Sequence, residues 1–286
     1  MDTFVHRFLK FKRHYKNVNY KYEICSNCLN TIESEYIPKE VLSFMNNNNN
    51  NKNTYKIKLE SVDIIIYGEI DDEFIQTCNL FRSFFQKEKE KARTTIYYLP
   101  ILQEKYSTTS ANALAPININ SGVFFGNTNV IVVYRKEEAL KVLIHELIHC
   151  HGFDDTIIMN PNLDFINIIS SVPIRFTETY TELLASILFN YYKKTTTYKS
   201  LKEHFQHHAK LIMCMYYDAN NKTFRQNTHV FEYIIAKAAL VKNKTLKEII
   251  LLLDSSDNFN AELKIQLKNY IESFKCRHNM LPLVAH

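Results

Sequence analysis

Val142-Leu-Ile-His-Glu-Leu-Ile-His149 sets three polar residues into an apolar run, and the spacing of those three decides how the chain is read. The run has helical character, and residues four apart on a helix lie on one face, one turn above each other. His145 and His149 can therefore grip a single metal ion, at ligand distances of roughly 2.0–2.1 Å. Glu146, one step round the helix, lands beside the ion's open position. There it can take a proton from a metal-bound water and hand it to a leaving amine. A polar triplet buried among Val142, Leu143, Ile144, Leu147 and Ile148 needs partners, and a metal supplies them. The spacing thus predicts a reaction, metal-assisted hydrolysis of an amide, on one Zn²⁺ ion.

The elements around the run predict an α+β fold. The motif helix is expected over 136–151, with Glu137 and Glu138 in its first turn suiting the positive end of the dipole. Gly152 stands where helices commonly end in a left-handed residue. Upstream, Val62-Asp-Ile-Ile-Ile-Tyr67 reads as a buried strand, 72–87 as a helix, and Thr94-Thr-Ile-Tyr-Tyr-Leu99 as a strand stopped by Pro100. Gly122-Val-Phe-Phe125 and Asn129-Val-Ile-Val-Val-Tyr134 read as a hairpin turned at Gly126-Asn-Thr128. Downstream, apolar spacing predicts helices near 175–193, 199–217, 224–242, 245–254 and 260–274. A sheet lobe (about 58–135), the active-site helix and a mostly helical lobe (153–286) then make one domain over 58–286, with a cleft between the lobes. Residues 1–45, basic and aromatic, read as a helical or irregular appendage. The asparagine run Asn46–Asn51, within an Asn-rich segment 46–57, buries nothing and is expected to be a flexible loop.

Bulk composition narrows the function classes. The chain has 286 residues, 46% hydrophobic and 23% charged, enough for a substantial core. Its formal charge of +5 comes from scattered Lys and Arg, so no nucleic-acid partner is called for. No apolar run approaches the roughly 20 residues that span a bilayer, and the N-terminus lacks a secretory pattern. The expectation is a cytoplasmic protein with no membrane contact, acting on a polypeptide. Cys25-Ser-Asn-Cys28 has metal-like spacing but no second pair nearby, and reads as two reduced thiols. His204, His207 and His208 fit a polar helix surface.

A catalytic zinc usually has three protein ligands and water. Two residues compete for the third place. Glu178 lies near the start of a strong helix with Glu182 one turn later on the same face, so Glu178 can bind the metal while Glu182 accepts the free ring N–H of His145 and fixes its orientation. Asp155 competes through His149-Cys-His-Gly-Phe-Asp-Asp155, in which a sharp turn at Gly152 would bring the aspartate to the metal. Glu178 is preferred because the paired carboxylates supply the orienting group as well.

With those residues in place, the chain resembles the zincin metallopeptidases, in particular the gluzincin branch, over about residues 115–240. Asn118-Ile-Asn-Ser-Gly122, Tyr134-Arg-Lys-Glu-Glu138, the Glu178 helix and Asn227-Thr-His-Val-Phe-Glu-Tyr233 look like segments of uncharacterised putative metallopeptidases of large DNA viruses, which would place the protein in host cytoplasm or virion. The spacing to Glu178 is longer than in the thermolysin-like group. The resemblance implies that an edge strand, Gly122–Phe125 or Asn129–Tyr134, pairs with extended substrate. It also implies an oxyanion donor from the helical lobe, His229 or Tyr233, with His229 set near the helix start at Thr228. Met213 and Met215 are available for the methionine turn of a metzincin-like alternative, but sit in a helical segment. Two other functions stay open: an inactive zincin that binds a host protein, and a tubulin-type carboxypeptidase.

Overall fold

Apolar β-branched runs in the first half of the chain build a sheet, and the structure, a computed structural model, describes residues 2–25, 41, 43, 54–101, 120–158, 161–170, 172–194, 196–226 and 229–274. Cys28, the asparagine run, Asn118, Ile119, Asn227 and Thr228 lie outside the described residues. The fold mixes α and β structure in two compact units, one within Val5–Glu104 and Asn120–Phe153, the other including Asp154–His286.

The first unit is a six-stranded mixed sheet in the order β1 (Tyr22–Ile24), β2 (Thr54–Lys58), β3 (Val62–Tyr67), β4 (Thr94–Tyr98), β6 (Val130–Val133), β5 (Gly122–Phe125). β3, β4 and β6 run parallel, and β1, β2 and β5 are antiparallel to their neighbours. Interior parallel strands are covered on both faces, hence the apolar runs Ile64–Tyr67 in β3, Ile96–Tyr98 in β4 and Val130–Val133 in β6. One face packs Ile65, Tyr67, Tyr97, Leu99, Val132 and Tyr134 with Val41. The other meets α2 (Asp72–Glu88), where Phe74 stacks on Tyr98 with ring centroids 3.9 Å apart. α2 starts at Asp71, whose carboxylate accepts the Phe74 N–H at 2.9 Å. The N-terminal segment adds α1 (Phe4–His14) and the edge strand β1; Phe8 of α1 stacks on Phe81 of α2, and Arg7 pairs with Glu88 at 2.7 Å.

The motif helix, α3, spans Ala139–His151. It starts later than the apolar spacing suggests: Glu138 is the cap, at φ −116° and ψ 1°, so neither Glu137 nor Glu138 lies in the first turn. Glu138 instead accepts the Ser121 hydroxyl at 2.9 Å, tying helix start to β5. Gly152 ends the helix in the left-handed region, at φ 63°. The far end is fixed by a buried polar cluster. The His151 ring Nδ1–H donates to the Lys89 carbonyl at 2.8 Å, its Nε2 meets the Arg82 guanidinium, and Arg82 donates to the Ala92 carbonyl at 2.6 Å.

Burial holds His151 neutral, pushing its pKa from 6.5 down to about 4, with the charges of Arg82, Lys91 and Lys89 acting the same way and its bond to Lys89 opposing. The unfolded chain therefore takes up the proton first as the pH falls. Stability from this source is complete above pH 6.5 and is lost progressively towards pH 4, a loss of about 3 kcal/mol. In urea titrations with chelator present, wild type is expected to lose about 2 kcal/mol more than His151→Gln between pH 7 and 4.5. Parallel losses in the two proteins would refute that assignment.

The second unit is mostly helical: α4 (Phe176–Lys193), α5 (Tyr198–Tyr216), a π-helical turn Phe231–Ala236 continuing as α6 (Lys237–Val241), α7 (Leu246–Leu253) and α8 (Ser256–Glu272). Met213 and Met215 both lie in α5. The helix expected over 224–242 is shorter than its apolar spacing, because Thr223–Gln226 forms β9. β9 is the middle strand of a small sheet, parallel to β7 (Asn167–Ser170) and antiparallel to β8 (Tyr217–Asp218). Its backbone hydrogen bonds go to neighbours distant in sequence, which local periodicity does not register. No helix among the described residues is long and apolar enough to cross a membrane. Cys25 is disulfide-bonded, which corrects its reading as a reduced thiol, whereas Cys78, Cys150 and Cys214 form no disulfide.

Candidate metal centre

Four-residue spacing on α3 puts the two motif imidazoles side by side. Their Nε2 atoms are 3.1 Å apart, with ring centroids 4.8 Å apart and planes inclined at 70°. Tetrahedral ligands at roughly 2.0–2.1 Å from a zinc ion stand about 3.3 Å from each other. The two nitrogens thus converge at about the spacing that one shared ion requires, and imidazole suits several transition metals. His145 is 6% exposed and Glu146 7%, so the motif lies in a largely dry setting where charge interactions are strong.

β5 lies directly against this helix, and Gly122 is why it can. A Cβ on Gly122 would sit 2.5 Å from Val142 Cγ1, 2.9 Å from the Val132 carbonyl oxygen and 3.4 Å from Glu146 Cγ. Only glycine admits that approach of strand to helix beside the Glu146 side chain. Of the two segments with edge-strand potential, β5 is the one at the sheet's edge, and β6 lies inside between β4 and β5. Burial keeps the nearby Tyr134 hydroxyl protonated; the charge of Glu146 acts in the same direction and Arg135 against it.

The other predicted site residues lie in the second unit. Glu178 and Glu182 are one turn apart on α4, 7% and 6% exposed. A buried carboxylate needs compensation, and for Glu182 part of it comes from Lys237, whose Nζ donates to Oε1 at 2.8 Å. The same ammonium lies 4.1 Å from the centroid of the Phe205 ring. Asp155, three residues beyond Gly152, is exposed.

His229 is buried and its Nδ1 lies 3.1 Å from Glu232 Oε1. Glu232 is fully buried and densely bonded. Oε1 also accepts the Arg175 backbone N–H at 3.1 Å, Oε2 accepts from Gln226 Nε2 at 3.2 Å, and the Glu232 carbonyl accepts the Thr179 hydroxyl. Gln226 in turn accepts the Phe231 N–H at 2.7 Å, which fixes the start of the π-helical turn. Such turns recur at functional sites. An imidazole that donates Nδ1–H to a carboxylate keeps Nε2 as its remaining polar atom. Tyr233 is half-buried, its ring edge-on to His229 at 6.1 Å.

Glu232, Lys237 and Arg175 escape a reading built on ligand spacing. A signal for two of them is present: Phe231-Glu-Tyr-Ile-Ile-Ala-Lys-Ala-Ala-Leu-Val241 holds one acid and one base in an otherwise apolar helix. Charges on a buried face require partners. No protein-family model, curated protein or solved structure matches the chain.

Proposed function

We propose that this chain is a zinc-dependent metallopeptidase with a zincin-like arrangement, in which His145, His149 and Glu178 hold one zinc ion. The observation that carries the reading is the 3.1 Å convergence of two imidazole Nε2 atoms on a helix that also presents a buried glutamate. Glu178 is favoured over Asp155 as third ligand because it is buried and Asp155 is exposed. Two histidines and a glutamate, with one position left for water, make a known catalytic zinc set.

When bound, zinc supplies a Lewis acid and lowers the pKa of water towards about 7. The remaining chemistry belongs to the chain. A Glu146 carboxylate oxygen accepts a proton from the attacking water and returns it to the amide nitrogen as the bond breaks. Glu182 orients His145 by accepting its free ring N–H. His229 is held by Glu232, and its Nε2, when protonated, donates to the oxygen that becomes negative; Tyr233 beside it is the alternative donor. β5, the edge strand of the sheet among the described residues, pairs with an extended peptide, so main-chain hydrogen bonds supply affinity without restricting sequence.

Metal analysis of purified protein tests the ligand set. Wild type and Asp155→Ala are expected to carry one zinc ion, and Glu178→Ala to lose it. Zinc lost from the aspartate variant alone would sink the assignment of Glu178. A fully zinc-loaded wild type that cleaves nothing in a peptide library would point to a binding protein instead.

A further inference from the structure

We propose that Arg175 binds a carboxylate of the peptide substrate and thereby determines which peptides are cleaved; the proposal rests on the metallopeptidase reading above. Arg175 is the extended residue that caps α4, at φ −134° and ψ 117°, three positions before Glu178. Its backbone N–H donates to Glu232 Oε1, the same atom that holds His229 Nδ1. The root of the side chain is thus two hydrogen bonds from the imidazole assigned to the oxyanion, and it is anchored there by a fully buried carboxylate.

The guanidinium of this half-buried side chain carries one orphaned donor. Its Nε is buried and has no hydrogen-bond partner, and among the described residues no carboxylate pairs with it. Arginine stays charged at every physiological pH, so a buried, unsatisfied N–H on it is costly. Glu232 binds only the backbone of Arg175 and leaves the fork unused. A planar fork of donors matches a carboxylate in two parallel bonds. In an unmodified peptide the carboxylates are the C-terminal group and the side chains of Asp and Glu. Both share the chemistry Arg175 would recognise, and they imply different enzymes: one that trims chain ends, one that cuts beside acidic residues.

The test uses the full-length zinc-loaded protein and one peptide core in three forms: free C-terminus, C-terminal amide, and the amide with one internal Gln replaced by Glu. Wild type and Arg175→Met are compared by the ratio of kcat/KM between forms, which does not depend on the fraction of protein folded. Loss of one charged pairing predicts that Arg175→Met lowers the carboxylate-to-neutral ratio by at least about tenfold, with Arg175→Lys in between. A fall confined to the free-C-terminus form assigns the terminal carboxylate, and a fall confined to the Glu form assigns a side chain. An unchanged ratio for both forms overturns the proposal. Anisotropy of the same labelled peptides on the Glu146→Gln protein reads binding without turnover. If wild type cleaves none of them but Arg175→Met still weakens carboxylate-dependent binding, the arginine site stands and the peptidase reading falls. Binding that is indifferent to Arg175 removes the site.

Discussion

Glu146→Gln is expected to abolish peptide cleavage while leaving zinc content at the wild-type level. The substitution keeps the size and the hydrogen-bonding shape of the side chain, and removes only its capacity to take a proton. Positioned proton transfer contributes about 10²–10⁴-fold to such reactions, and here one carboxylate serves both the attack and the departure of the amine. A fall of about 10³-fold or more in kcat/KM, with kcat carrying the loss, is the predicted result. Glu146 shares its helix with the two imidazoles, so unchanged zinc binding separates loss of the base from loss of the site. A variant that retains more than about a tenth of the activity would remove Glu146 as the base.

Lys237→Met is expected to destabilise the helical unit more than any other single substitution at its buried charges. The Lys237–Glu182 pair is buried on both sides, at 2.8 Å, and the lysine is also seated on Phe205. Removing one partner leaves a carboxylate with much of its compensation gone, at a cost of about 3–5 kcal/mol. Removing both charges, as in Lys237→Met with Glu182→Gln, should recover most of that stability, because the uncompensated charge is gone. Urea unfolding of wild type, Lys237→Met, Glu182→Gln and the double variant gives the coupling directly. A single variant within about 1 kcal/mol of wild type would show that the pair does not support the core. The double variant also tests Glu182 separately: if stability recovers while zinc affinity falls, Glu182 acts on the metal ligands as well as in the fold.

Several elements were readable from local pattern because their cause is local. β3 carries the apolar run Ile64–Tyr67 and α2 begins at a side-chain cap. The hairpin Gly122–Val133 and the helix stop at Gly152 each follow from residues adjacent to the feature. The strands β7, β8 and β9 were not readable, since two to four residues carry too little periodicity. The expected helix over 224–242 failed at its start for that reason: Phe224 is paired in the sheet with Ile168, 56 residues upstream.

The candidate site divides along the same line. Sequence by itself determined the pairing of His145 with His149 and the place of Glu146 beside them, because 3.6 residues per turn fixes neighbours four apart whatever else the chain does. It could also rank Glu178 and Glu182 as partners on one helix face. Only the tertiary structure decided that Glu182 is held by Lys237, 55 residues away, that His229 is bound by a fully buried Glu232, and that β5 rather than β6 is the sheet's edge. Lys237 and Glu182, like the strands of the sheet, are joined across separations that set no distance in space, whereas Glu232 is a local neighbour of His229, three residues on, and only its complete burial is decided by the fold. The charge pairings exist because folding buries charges that must then find partners, and the partner is whichever residue the packing brings within hydrogen-bond reach.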